Sequence, residues 1–177
     1  NSNPKTFPRL KFFNQPIFFF GDAFFSGFYL NEILLRLCPL EVQMPLTFAK
    51  YGETLNALQK LSDQENPNTY LKQVLRQFEH ILLEELGYEL DFSVDANQAQ
   101  INPVQHYYFQ LNEGFMPSAK ALRSTMSGQQ ILTMQHYENG RDFNPEQLQL
   151  LTKLYRQVIT ALLGDRPLKL SLIHISE

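Results

Sequence analysis

Between residues 67 and 92 the apolar side chains Leu71, Val74, Leu75, Phe78, Ile81, Leu82 and Leu86 recur at steps of three and four, the spacing that puts them on one face of an α-helix. Pro67 suits a first helical turn and Gly87 tolerates the left-handed conformation that ends a helix, so the pattern has a start and a stop. A stripe this wide can meet two other helices at once. Lys72, Arg76 and His80, at i, i+4 and i+8, line up on a face that leaves the stripe. The expectation is one face that builds a core and another that a partner reads.

Two further helices precede this one. Asp22 is a good N-cap for a helix to about Leu37, closed by Pro39. Phe24, Phe25, Phe28, Tyr29, Leu30, Ile33, Leu34, Leu35 and Leu37 wrap most of its circumference, which predicts a buried central strut. Within it Asn31 and Glu32 would need partners. A second helix over about Leu46–Leu61 carries Phe48, Tyr51, Leu55 and Leu58 at helical spacing. Three antiparallel helices with short loops make a bundle.

Beyond Gly87 the period changes. Gln105–Gln110 and Phe115–Met116, separated by a turn with Gly114, predict a β-hairpin. Ser127 with Gln130, and Asn144 with Gln147, have the form of capping boxes opening a short helix to about Tyr137 and a longer one closed by Gly164. The fold class expected is mostly α: a helical bundle with a small β hairpin.

At 177 residues, 44% hydrophobic and 19% charged, the chain is long enough for one domain with a real core. A formal net charge of -3 argues against a dominant phosphate-binding surface. Cys38, the one cysteine, excludes an internal disulfide, fits a reducing compartment and reads as a small core residue. No apolar run approaches the ~18 residues of a membrane span, so the expected location is cytoplasmic. Glu84 and Glu85 are adjacent, diverge by about 100° on a helix and read as solvated charges rather than a catalytic pair. Asp91 and Asp95 have no partner in the pattern. With no nucleophile elbow, phosphate loop, dinucleotide motif or zinc-protease motif, neither an enzyme nor a cofactor is expected.

The segments LRQFEHILLEELGYELDF (75–92), SGFYLNEILLRLCP (26–39) and RDFNPEQLQLLTKLYRQVITALLGDRPLK (141–169) resemble the RecO family of bacterial recombination mediators. The likeness covers roughly residues 10–170, with the three segments in the family's order. It implies that residues 1–21 are the remnant of an N-terminal OB-fold barrel and its connector, most of that barrel lying outside the chain, and that 22–169 form a RecO-like helical domain. Residues 170–177 depart from the family's pattern and read as translated adapter sequence, a non-native tail. Several RecO relatives carry a four-cysteine zinc site after the third helix; here that region has no cysteine, so no metal is expected.

The resemblance also implies a role in DNA repair and homologous recombination by the RecF route: strand annealing, and loading of RecA with RecR. The implied partners are the acidic C-terminal tail of single-stranded-DNA-binding protein, RecR, and single- and double-stranded DNA through the missing barrel. In a bacterium the protein would gather at the nucleoid when acting on DNA. Arg76 occupies the family's position for a residue gripping the tail's carboxylate, with Lys72 steering and Leu75, Phe78 and Leu82 shaping the groove; pairing of Arg76 with Glu79 or with another surface acid is the structural alternative. Lys5, Arg9, Lys11, Lys153 and Arg156 are candidate DNA contacts. A helical adaptor unrelated to DNA repair is the competing reading.

The charge balance yields a first prediction. The chain alone should bind DNA weakly and with steep salt dependence. Tight binding at physiological salt in a filter-binding titration would contradict it and bring the five basic candidates forward.

Overall fold

The computed structural model describes residues 21–88, 90–122, 124–137 and 141–164. The predicted barrel remnant at 1–20 and the tail at 170–177 lie outside the described residues. Among those described, the elements in order are α1 (Gly21–Leu37), α2 (Pro45–Gln59), a 3-10 turn (Leu61–Asp63), α3 (Pro67–Glu85), β1 (His106–Gln110), β2 (Gly114–Ser118), β3 (Met126–Ser127), α4 (Gly128–Leu132), a second 3-10 turn (Thr133–His136) and α5 (Pro145–Leu163). The chain is mostly α with a small antiparallel sheet, as the periodicities require.

The centre is α3, which packs against α2 on one side and α5 on the other. Its Leu75, Phe78 and Leu82 are wholly buried, facing Leu30 and Ile33 of α1, Leu58 of α2 and Leu151, Leu154 and Val158 of α5. At its end the Tyr88 amide reaches the Leu83 carbonyl and the Gly87 amide the Glu84 carbonyl, with Gly87 at φ 85°. This pair of bonds around a left-handed residue is a Schellman motif, which is why glycine stands there.

The expected central strut needs correction. In α1 the residues Tyr29, Leu30 and Ile33 are buried, but Phe24, Phe28 and Leu35 are 44%, 46% and 84% exposed. Among the described residues α1 meets α2 and α5, with Tyr29 also reaching Glu79 of α3, and these contacts leave part of its apolar circumference exposed. Asn31 finds its partner in Tyr51, whose hydroxyl donates to Asn31 Oδ1 at 2.6 Å, and Glu32 pairs with Arg36 at 3.3 Å. Arg36 also donates to the Leu163 carbonyl, satisfying an acceptor at the end of α5. Phe48, assigned to the buried stripe of α2, is 46% exposed.

The hairpin forms with His106 opposite Ser118 and Gln110 opposite Gly114. The unforeseen β3 adds to the other edge of β1, giving the order β2-β1-β3. Both capping boxes are present: Ser127 and Gln130 open α4, Asn144 and Gln147 open α5. Gly128 is required by packing, because a Cβ there would stand 1.9 Å from the Asn102 carbonyl oxygen. Asp91 and Asp95 have partners after all: Asp91 accepts from the amide and hydroxyl of Ser93, and Asp95 from the amides of Asn97 and Ala99. These are side-chain-capped turns of the kind aspartate favours.

Glu85 is not merely solvated. Its carboxylate accepts the Thr47 amide at 2.7 Å and the Leu46 amide at 3.2 Å, capping α2 from the end of α3 where Met44, at the N-cap, offers no side-chain bond. Burial pushes this carboxyl up, but hydrogen bonds from Thr47 and Leu46 bring it below the usual range. A lowered carboxylate contributes stability that is present above its unfolded pKa and fades as pH falls through its folded one. Glu85→Ala should therefore cost about 0.5–2 kcal/mol at neutral pH, and in urea titrations the gap to wild type should narrow as pH falls below the ordinary glutamate range.

Candidate partner-binding site

The i, i+3 spacing of Arg76 and Glu79 on α3 brings Arg76 Nη2 to 2.5 Å from Glu79 Oε1. Tyr29 of α1 donates its hydroxyl to the same oxygen at 2.6 Å. Arg76 is 7% exposed and Glu79 0%, so a charged pair is held inside the contact of α1, α3 and α5. Glu79 Oε2 and Arg76 Nε are buried with no hydrogen-bond partner. Each such group costs about 1–3 kcal/mol or more when charged.

The electrostatics follow from that enclosure. Burial raises the Glu79 carboxyl above the usual range, opposed by the Arg76 charge, the hydrogen bonds from Tyr29 and Arg76, and the charge of Arg156 on α5. Burial, then the Glu79 carboxylate, pushes the Tyr29 hydroxyl well above its ordinary value. Two guanidinium groups thus act on one carboxylate.

Several sequence-derived positions move. Arg76 does not stand on an open polar face; with Glu79 it has been drawn into the core side, and the alternative pairing of the two is the one observed. Leu75, Phe78 and Leu82 have no exposed surface and lie in the core. Lys72, one turn before Arg76, is half-buried. The rest of that polar face is taken by the chain itself. Gln73 exchanges two hydrogen bonds with the backbone of Phe143, at 2.5 and 2.9 Å, and Gln77 donates to Asp142 at 2.9 Å. His80 lies with Nδ1 2.6 Å from the Tyr155 hydroxyl, stacked on that ring and edge-on to Tyr137 and Phe143.

Of the DNA-contact candidates, Lys153 directs its ammonium to the Thr125 carbonyl, and burial lowers its pKa. Arg156 is exposed on α5. Lys5, Arg9 and Lys11 lie outside the described residues.

Sequence reasoning named Glu79 only as an alternative partner of Arg76 and missed Tyr29. The signal was present for Glu79, which sits in the apolar stripe between Leu75 and Leu82 rather than beside it. It also missed a cavity of about 180 Å³ against α3, lined by His80, Leu83, Tyr88, Phe92, Met134 and Tyr155 among others. Its walls mix aromatic and aliphatic side chains with the polar groups of His80, Glu84 and the tyrosines. Among the described residues no three His, Cys, Asp or Glu side chains stand close enough to hold a metal ion, and no helix is long and apolar enough to cross a membrane.

By its fold this is a mostly α-helical domain with a small three-stranded sheet attached, whose polar chemistry is concentrated on α3. Residues 21–171 match the family described as Recombination protein O C terminal, and the chain belongs to it. Among its relatives, the protein named DNA repair protein RecO from Pseudomonas aeruginosa (strain LESB58) is 35% identical over 164 residues, 93% of this chain and 66% of the relative. Its counterpart in Tolumonas auensis is 33% identical over 170 residues, 95% of this chain and 67% of the relative. That of Cellvibrio japonicus is 36% identical over 155 residues, 84% and 60% of the two. The chain thus spans about two thirds of the length of these relatives or somewhat less.

The buried pair predicts an order of stability losses. Tyr29→Phe removes one donor from a buried carboxylate and should cost about 1–3 kcal/mol. Arg76→Ala removes the nearest countercharge of that carboxylate, leaving Tyr29 and the more distant Arg156, and should cost about 3–5 kcal/mol. Urea unfolding of the two variants beside wild type measures both; a silent Arg76→Ala would show that the pair does not carry the contact of α1 with α3.

Proposed function

We propose that this chain is the helical part of a DNA-repair and recombination protein that works by binding partners rather than by catalysis. The observation carrying this reading is the family match over residues 21–171, together with relatives named for DNA repair. In the whole protein we assign the activities of a recombination mediator: annealing complementary strands and, with RecR, helping RecA onto coated single strands. DNA would be held mainly by an OB-fold barrel of which residues 1–21 are a remnant, with residues 22–169 as the helical domain and 170–177 as a non-native tail. Lys5, Arg9, Lys11 and Arg156 would add backbone contacts, with Lys153 a weaker candidate because of its bond to Thr125. The setting is the bacterial cytoplasm, at the nucleoid during repair.

For the helical domain we assign docking of the acidic C-terminal tail of single-stranded-DNA-binding protein. A guanidinium holds a carboxylate in a planar fork and an aromatic side chain fills an apolar slot. Both parts are available on α3: Arg76, which keeps a small exposed edge, and one turn along, at His80, the aromatic cavity. Lys72 beside Arg76 would steer an acidic peptide.

The test uses a short peptide of acidic residues ending in phenylalanine with a free carboxylate. Arg76→Lys keeps the positive charge against Glu79 but lacks the fork, and should weaken binding on the order of tenfold. Lys72→Ala should act mainly through association rate and salt dependence. Equal affinities of wild type and a folded Arg76→Lys variant would remove Arg76 from the site.

A further inference from the structure

The Arg76–Glu79 contact is incompletely made. Both donors on Glu79, the Tyr29 hydroxyl and Arg76 Nη2, converge on Oε1, while Oε2 and Arg76 Nε remain buried without partners. A guanidinium facing a carboxylate squarely would form two parallel bonds. At i+3 on the same helix Glu79 forms one. Arg76 therefore has fork capacity that its internal partner does not fill, and the partner's charge stands in the way of any second carboxylate.

We propose that Glu79 is an internal competitor of the docking site: its carboxylate occupies Arg76 in the unliganded chain, and with Tyr29 it sets how strongly the site can hold the terminal carboxylate of an acidic peptide. This rests on the reading of Arg76 as the peptide anchor. The groups around the competitor are Tyr29 from α1, Arg76 on α3, and Tyr155 and Arg156 from α5: Arg76, Tyr29 and Arg156 favour the charged carboxylate, and that carboxylate in turn raises the Tyr29 and Tyr155 hydroxyls. Tyr29 shares the Oε1 lone pairs, so it draws off part of the charge that Arg76 would otherwise receive. The result is an anion site whose affinity is held down by design of its own core, suited to a partner that must be released as readily as it is captured.

The experiment titrates the acidic peptide, with a free and with an amidated C-terminus, against the full chain carrying Glu79→Gln or Tyr29→Phe. Glutamine keeps an oxygen that accepts from Tyr29 and Arg76 and removes the charge, so the free peptide should bind on the order of tenfold tighter and the amidated one nearly as to wild type. Tyr29→Phe concentrates the carboxylate's charge on Arg76, and binding of the free peptide should weaken about threefold. A structural role alone would lower the melting temperature in both variants and leave the contrast between the two peptides unmoved, which overturns the proposal. So does tighter binding by Tyr29→Phe, the variant that decides the matter where Glu79→Gln fails to fold. When Arg76→Lys binds the free peptide like wild type, the anchor itself is wrong and the competitor falls with it; when Arg76→Lys weakens binding and Glu79→Gln changes nothing, only the competitor falls.

Discussion

A carboxylate with no exposed surface, Glu79, sits where α1, α3 and α5 meet. Removing such a charge from water costs several kcal/mol even after relaxation, and the cost is recovered only when opposite charge and hydrogen-bond donors are in place. The donors come from two elements, Tyr29 on α1 and Arg76 on α3, and the charge of Arg156 on α5 adds to them. Apolar packing alone tolerates small shifts of one helix against another. A 2.6 Å bond between the Tyr29 hydroxyl and a buried carboxylate does not, so this network fixes the register in which the apolar faces close.

The polar side of α3 shows how little of a helix is left over once a small domain has satisfied its backbone. Gln73 pairs with Phe143 as one peptide group pairs with another, Gln77 takes Asp142, and His80 closes an aromatic cluster with Tyr137, Phe143 and Tyr155. Together they hold the segment leading into α5 against α3. The Asn144–Gln147 box then starts α5 at a position already set. Backbone groups drawn out of water must find partners, and here Gln73 of α3 supplies them to Phe143 in a stretch with no ladder of its own.

What the sequence makes legible is what repeats or terminates. The period of α3, the hairpin around Gly114, the two capping boxes and the Gly87 stop are each fixed by local chemistry within a few residues. α1 was misjudged because a helix apolar all round gives no direction to its moment; which side is covered depends on where α2 and α5 lie. β3 is two residues long and exists only as an addition to β1. Glu85 reads as a surface charge until the start of α2, thirty-eight residues earlier, is found against it. The burial of Arg76 is hidden in a similar way: at helical spacing from Lys72 and His80 it reads as polar surface, and the inward setting follows from Glu79 one turn on and Tyr29 of α1 meeting at one oxygen.

α5 carries the consequences of these contacts across the molecule. Over five consecutive positions it is tied to several other parts: Lys153 bonds the carbonyl of Thr125 beside β3, Leu154 fills the core, Tyr155 meets His80, Arg156 acts on Glu79 through its charge, and Gln157 donates to the Phe109 carbonyl of β1. A helix advances about 100° per residue, so five neighbours face in every direction. One turn of α5 therefore joins the sheet, the aromatic cavity and the buried carboxylate. Groups that share a rigid element and partners in this way do not add independently when mutated. Tyr155, which lines the cavity and meets His80, and Arg156, whose charge acts on Glu79, are neighbours on α5, so substitutions at the two are not expected to add.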